Sequence, residues 1–341
     1  MYLSPELSAV PILDTFVQQL VNGLTLGAVY AVVALGYTMV YGIVQLINFA
    51  HGEVVMIGAM VAFSVLAAFA GTTLPPLVVM LVAVMAAIPA CMAVGYVMER
   101  MAYRPLRQAP RLAPLITAIG IAIILQTIAR IIWTPDPLAF RQVIKSETYS
   151  IFGNATITNI QIGIIVLSVM MMAALAVLVY RTKLGCAMRA TAQNPTVAGL
   201  MGVDINRLIS MTFVIGAALA AVAGVMIGAY YGRVHYTMGE LLGLKAFCAA
   251  VLGGIGNIPG AMLGGLLLGL VEALGAGYIG DLTNLCHIQG ISTWLTERCA
   301  NNGSFVLFGS NYQDVFAFVV LILVLLFRPS GLLGERVGDR A

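Results

Sequence analysis

The sequence predicts an all-α, polytopic membrane protein: one transmembrane domain over residues 1–341, a bundle of 8–9 helices with one short or re-entrant segment. Three observations predict it. Only 9% of the residues are charged, against about a quarter in an ordinary soluble domain. No charge occurs from Thr15 to Ala50, Val54 to Met98, Leu112 to Ala129, Thr148 to Tyr180, Leu208 to Gly232 or Ala246 to Val271, and a bilayer-spanning helix needs about 20 such residues. The basic residues cluster, with Arg100, Arg104, Arg107 and Arg111 in one group, Arg181, Lys183, Arg189 and Arg207 in a second, and Arg328, Arg336 and Arg340 in a third. Cytoplasmic loops collect Lys and Arg, so all three groups are expected inside the cell.

Taken in order, the first fifteen residues hold Glu6 and Asp14 but no Lys or Arg. They lack the basic start of a cleavable signal peptide, and the first span, near 16–41, is expected to insert uncleaved. The long run after Glu53 is broken by Thr72, Thr73, Pro75 and Pro76, giving spans near 54–71 and 76–98. Further spans are expected near 112–133, 160–180, 207–230, 258–279 and 313–328. The stretch 241–253, with Lys245 inside it, is short for a full crossing. If it crosses, there are nine spans and an external N-terminus; if not, eight and a cytoplasmic one. The C-terminus is cytoplasmic either way.

Many of the 36 glycines fall inside these helices. Lipid supplies no hydrophobic drive for helix association, so small residues three or four apart, which let backbones approach, indicate a compact bundle. "GLTLGAVYA" from Gly23 and "GLLLGLVEA" from Gly265 share residues in register, which is either a weak internal repeat or coincidence in a Gly- and Leu-rich chain. The segment 280–312 is polar and mixed, and is read as an external loop. It holds Cys286 and Cys299, which can pair in an oxidising compartment, whereas Cys91, Cys186 and Cys248 fall in or near helices and cytoplasmic loops.

Two polar segments interrupt the apolar pattern. In 181–208, Asn194 followed by Pro195 reads as an N-cap with proline at the first helical position, and Gly202 ends a helix of about two turns. That helix is either a plain surface connection or a docking element for a cytoplasmic partner. The second segment, "LINFAHGEVVM" at 46–56, places Asn48, His51 and Glu53 between two apolar runs near the inner boundary. No Walker-type phosphate loop, nucleophile elbow or metalloprotease motif is present, so neither ATP hydrolysis nor another enzyme chemistry is expected of this chain. A net charge of +3 gives no reason to expect nucleic acid. No cofactor is expected, and no metal: His51 and Glu53 at i and i+2 do not face one ion from a helix, and His235 and His287 lie far away in sequence.

The 181–208 stretch, "GLTLGAVYAVVALGYTMVYGIVQLINFAHGEVVMIGA" at 23–59 and "VLLFRPSGLLG" at 324–334 together resemble the LivH-type permease subunits of bacterial ABC importers for branched-chain amino acids. The resemblance covers nearly the whole chain, with 280–312 its poorest part. It implies a multi-pass protein of the bacterial inner membrane that translocates Leu, Ile or Val. It also implies partners: a second permease subunit expected to make a heterodimer, two cytoplasmic ATPase subunits and a periplasmic amino-acid-binding protein. The family's ATPase-coupling loop falls within 181–207, with Ala190, Asn194, Pro195, Ala198, Gly199 and Gly202 as the matching positions, and 280–312 becomes a periplasmic loop.

Ionisable residues at membrane depth usually face the bundle interior or an aqueous path. Two readings of Asn48, His51 and Glu53 stay open: polar caps for a broken helix, with Gly52 permitting the break, or a lining of the translocation path or its cytoplasmic gate. Glu272 is a further candidate for the path or for a buried pair, with Lys245 as its possible partner. The alternative function is a self-sufficient secondary amino-acid transporter driven by protons through Glu53, His51 or Glu272.

Overall fold

A computed structural model describes residues 6–107, 109–110, 112–280, 313–328 and 330–334. Arg111, Cys286, His287, Cys299, Arg336 and Arg340 lie outside them, and with them the possible disulfide and nearly all of the 280–312 loop. The chain opens with a long helix α1 (Glu6–Val44), a break, and α2 (His51–Ala68). Next come α3 (Pro76–Met98), ending in a π-helical turn over Glu99–Tyr103, and α4 (Leu112–Ile132). Helix α5 (Asn159–Arg181) leads into two short helices, α6 (Lys183–Gln193) and α7 (Pro195–Leu200). Then follow α8 (Ile205–Tyr231), α9 (Met238–Gly253), α10 (Ile258–Leu274) with a π-helical extension to Gly280, and α11 (Gln313–Phe327).

Seven helices among the described residues are long and apolar enough to cross a membrane; α9, with 16 residues, and α11, with 15, fall short of that length. The proline-rich break is where the sequence puts it, since α2 ends at Ala68 and α3 starts with Pro76 at its first position. Helix α2 begins three residues earlier than predicted, which draws His51 and Glu53 into its first turn.

Among the described residues, two small antiparallel β pairs depart from the all-α pattern. Strands β1 (Leu138–Ala139) and β4 (Arg233–Val234) pair antiparallel, as do β2 (Thr148–Phe152) and β3 (Ala155–Thr158). The β2–β3 hairpin turns through Gly153 and Asn154, and Gly153 takes a left-handed φ of +52°. A two-residue Gly-Asn connection between alternating residues is a hairpin signal, masked here by the long uncharged run that contains it. The hairpin sits on the start of α1: Asn154 N donates to Asp14 Oδ2 at 3.0 Å and Thr156 N to Gln18 Oε1 at 2.8 Å. Thr158 then caps α5 through a reciprocal pair with Gln161.

The bundle has an inner and an outer set of helices. In the most apolar stretches of α1 and α8, 78% of residues are buried, against 17% in α4. Exposed Ile116, Ile123 and Ile124 on α4 and Leu81 and Met85 on α3 make a continuous apolar exterior suited to lipid. Helices α1 and α10 pack antiparallel through the two segments that resemble each other. A methyl group added at Gly23 would lie 2.9 Å from Leu270 Cα, and one at Gly27 2.8 Å from the Leu266 carbonyl oxygen. No side chain fits between these backbones.

Candidate functional site

At one end of the bundle α6 and α7 form a short projecting hairpin. Asn194 adopts an extended conformation, its Oδ1 accepts from Val197 N at 3.1 Å, and Pro195 occupies the first helical position of α7. The helix is six residues long, and Gly202 follows with φ +88°. Ala198 is buried, whereas Leu200 is 82% and Met201 81% exposed. Such an apolar tip, at the end of the molecule that carries Arg100, Arg181, Lys183 and Arg207, is suited to a protein partner. Ala190 accepts a backbone bond from Asn194, and a methyl group at Gly199 would meet only Ile205 Cδ1, at 3.4 Å.

Beside this hairpin, the π turn after α3 holds Glu99 wholly buried. Its carboxylate pairs with Arg107, lies 3.5 Å from Arg104 Nε, and accepts from Ser210 Oγ of α8 at 2.5 Å. Arg107 also donates to Asn206 at 2.7 Å. Burial lowers the Arg107 pKa from its ordinary value, and the adjacent carboxylate opposes that shift. The cluster pins the end of α3 to the first turns of α8, next to α7.

One turn further in, Tyr103 donates to Asn48 Oδ1 at 2.7 Å. This corrects the expected cap: α2 starts after Ala50 with no side-chain cap, and Asn48 contributes only its backbone carbonyl, bonded to His51 N at 3.0 Å. Gly52 does not make the break either. The break lies at 45–50, where Gln45 takes φ +54°, while Gly52 is inside α2 and lets it approach Gly239 and Gly243 of α9. His51 fills the space left by Gly36 and packs edge-on against Tyr37, ring centroids 4.9 Å apart. Glu53 Oε1 accepts from Gln126 Nε2 of α4 at 2.9 Å. Asn48, His51 and Glu53 are all buried, yet they point to three different neighbours and share no common ligand position.

Glu272 lies apart from that group. Lys245 Nζ is 2.8 Å from Glu272 Oε1 and 2.5 Å from Asp314 Oδ1, and 3.3 Å from the Tyr30 hydroxyl. The three charges tie α9, α10 and α11 together. Lys245 and Asp314 border a cavity of about 550 Å³ lined also by Tyr30, Ile227, Arg233, Leu241 and Leu242 among others. The cavity lies at the β1–β4 end, opposite α6 and α7. Glu99, Tyr103, Gln126 and Asp314 were not legible as site residues, because each has a partner on an element distant in sequence, and Arg233 was not because only the fold puts it on the cavity lining. Among the described residues no cluster could hold a metal ion.

Residues 19–325 match a family described as the permease component of a branched-chain amino acid transport system. The chain belongs to this family. It is 46% identical to the high-affinity branched-chain amino acid transport system permease protein BraD of Pseudomonas aeruginosa, over 94% of this chain and 96% of the relative. It is 41% identical, with the same coverage, to the corresponding permease protein LivH of Escherichia coli. A probable LivM permease of Methanocaldococcus jannaschii is 30% identical over 46% of this chain and 41% of its own length. No solved structure matches the permease. Like its relatives, the permease is a transport subunit and not an enzyme, and its seven apolar helices make it a multi-pass membrane protein.

Proposed function

We propose that this permease translocates Leu, Ile and Val through the inner membrane as one half of an ABC importer, with separate ATPase subunits acting on its α6–α7 hairpin. The observation that carries this reading is the 46% identity across nearly the full length of both chains to a permease of that named system. In the proposed orientation α6 and α7 face the cytoplasm, as does the C-terminus. The concentration of Lys and Arg at that end supports it.

The second permease is proposed to be a different chain of the same family, and the likeness to a LivM protein supports a heterodimer. A periplasmic amino-acid-binding protein delivers substrate at the β1–β4 end. ATPase closure then shifts the bundle between two arrangements; reversing a two-state population from 1:99 to 99:1 takes about 5.5 kcal/mol of differential binding. Arg107 bonds both Asn206, at the start of α8, and Glu99, and Tyr103, in the same π turn as Glu99, donates to Asn48 in the break before His51 and Glu53. We assign Asn48, His51 and Glu53 to the gate on that basis, and Glu272 to the outer half of the path.

The test is reconstitution of the permease in liposomes with its second permease and ATPases, supplied with loaded binding protein. Leucine uptake should require ATP and every component. Uptake by the permease alone, driven by a proton gradient, would replace this reading with secondary transport.

A further inference from the structure

The cavity at the β1–β4 end is not explained by passive conduction. Its volume, about 550 Å³, falls within the roughly 300–1,000 Å³ of small-molecule sites. Its lining is divided by chemistry. Ile227, Leu241 and Leu242 give it an apolar wall. Arg233, exposed at the start of β4, is one of the lining residues and has no ion pair among the described residues. Asp314 lines it too, and its carboxylate is fixed by Lys245 at 2.5 Å and has acceptor capacity left over. Lys245 is itself engaged by Glu272 and steadied by the Tyr30 hydroxyl, so it positions Asp314 and is not free to take a second anion. Arg233 and Lys245 together balance Glu272 and Asp314. With Glu272 held on Lys245 behind the lining, the four charges at the cavity sum to zero, which complements a zwitterion and disfavours a plain anion or cation.

We propose that this cavity is a binding site for a free aliphatic α-amino acid within the permease itself, with Arg233 on the carboxylate, Asp314 on the ammonium group and the Ile227–Leu241–Leu242 wall on the side chain. The inference rests on the import reading above and adds to it a selectivity step after release from the binding protein. A bidentate guanidinium suits a carboxylate, and Asp314 accepts from the ammonium group. An analogue lacking either charge loses one of these charge-assisted contacts.

The experiment uses the complete importer in proteoliposomes with saturating loaded binding protein, and reads leucine uptake and ATP hydrolysis separately. Arg233→Gln and Asp314→Asn are each expected to lower the leucine taken up per ATP hydrolysed about tenfold or more. Arg233→Lys should recover part of the uptake, and Leu241→Trp, which fills the cavity from an exposed position, should reduce uptake without affecting assembly. With uptake assayed for leucinamide and 4-methylpentanoate delivered from a preloaded detergent-free complex, wild type should reject both, and Arg233→Gln should lose its rejection of leucinamide. Wild-type uptake rates in assembled Arg233→Gln and Leu241→Trp complexes would overturn the site. A wild-type complex that carries no leucine at all would overturn the import reading instead.

Discussion

Asn194 shows how much a single side chain decides at the α6–α7 end. Its Oδ1 satisfies one of the first free amides of α7, and replacing such a cap by alanine costs about 1 kcal/mol. Asn194→Ala should therefore leave insertion unchanged and weaken recovery of the ATPases with the purified permease, measured by co-purification. The cap was legible because Asn-Pro is a local signal. Glu99 was not: its meaning depends on Arg107 and on Ser210 from a helix more than a hundred residues away. Removing one member of a buried pair costs about 3–5 kcal/mol, so Glu99→Ala should lower the unfolding temperature of the detergent-solubilised permease by several degrees. An unchanged melting curve would show that the cluster does not hold α3 to α8.

At the scale of elements, α7 and the α1–α10 pair make opposite demands on glycine. Gly199 has room around it, meeting only Ile205 Cδ1 at 3.4 Å. Gly199→Ala should express and transport normally, whereas Gly199→Arg should insert normally but lose both ATPase association and uptake. If the ATPases still co-purify with Gly199→Arg, the docking surface is elsewhere. Gly27 has none, since any side chain there meets the α10 backbone. Gly27→Leu should fail to accumulate in the membrane, as seen by immunoblot, because backbones in contact cannot yield as a flexible side chain does. The likeness between the Gly23 and Gly265 segments is visible in the letters. That the two pack against each other is not, because each helix alone presents small residues to any neighbour.

For the whole molecule, the two ends differ in charge and in construction. One carries α6, α7 and most of the Lys and Arg; the other carries the β1–β4 ladder, the hairpin and the cavity. In right-side-out vesicles, a thiol placed at Ile151 in the hairpin should react with an impermeant maleimide, and one at Leu200 only after the membrane is opened. Both positions are exposed in the bundle, so the contrast reports sidedness and not burial. The reverse labelling pattern would invert the proposed orientation.

From the letters alone come the apolar spans, the proline break before α3, the capped α7 helix and the family, since these depend on composition, period and short-range chemistry. The tertiary structure alone decides that α2 starts uncapped, that Gly52 serves a helix contact, that Lys245 holds both Glu272 and Asp314, and that a hairpin rests on Asp14 and Gln18. The physical reason is the same each time. A buried polar or small residue is explained by what it faces, and in a helical bundle that neighbour comes from another turn of the chain, at a distance no local pattern encodes.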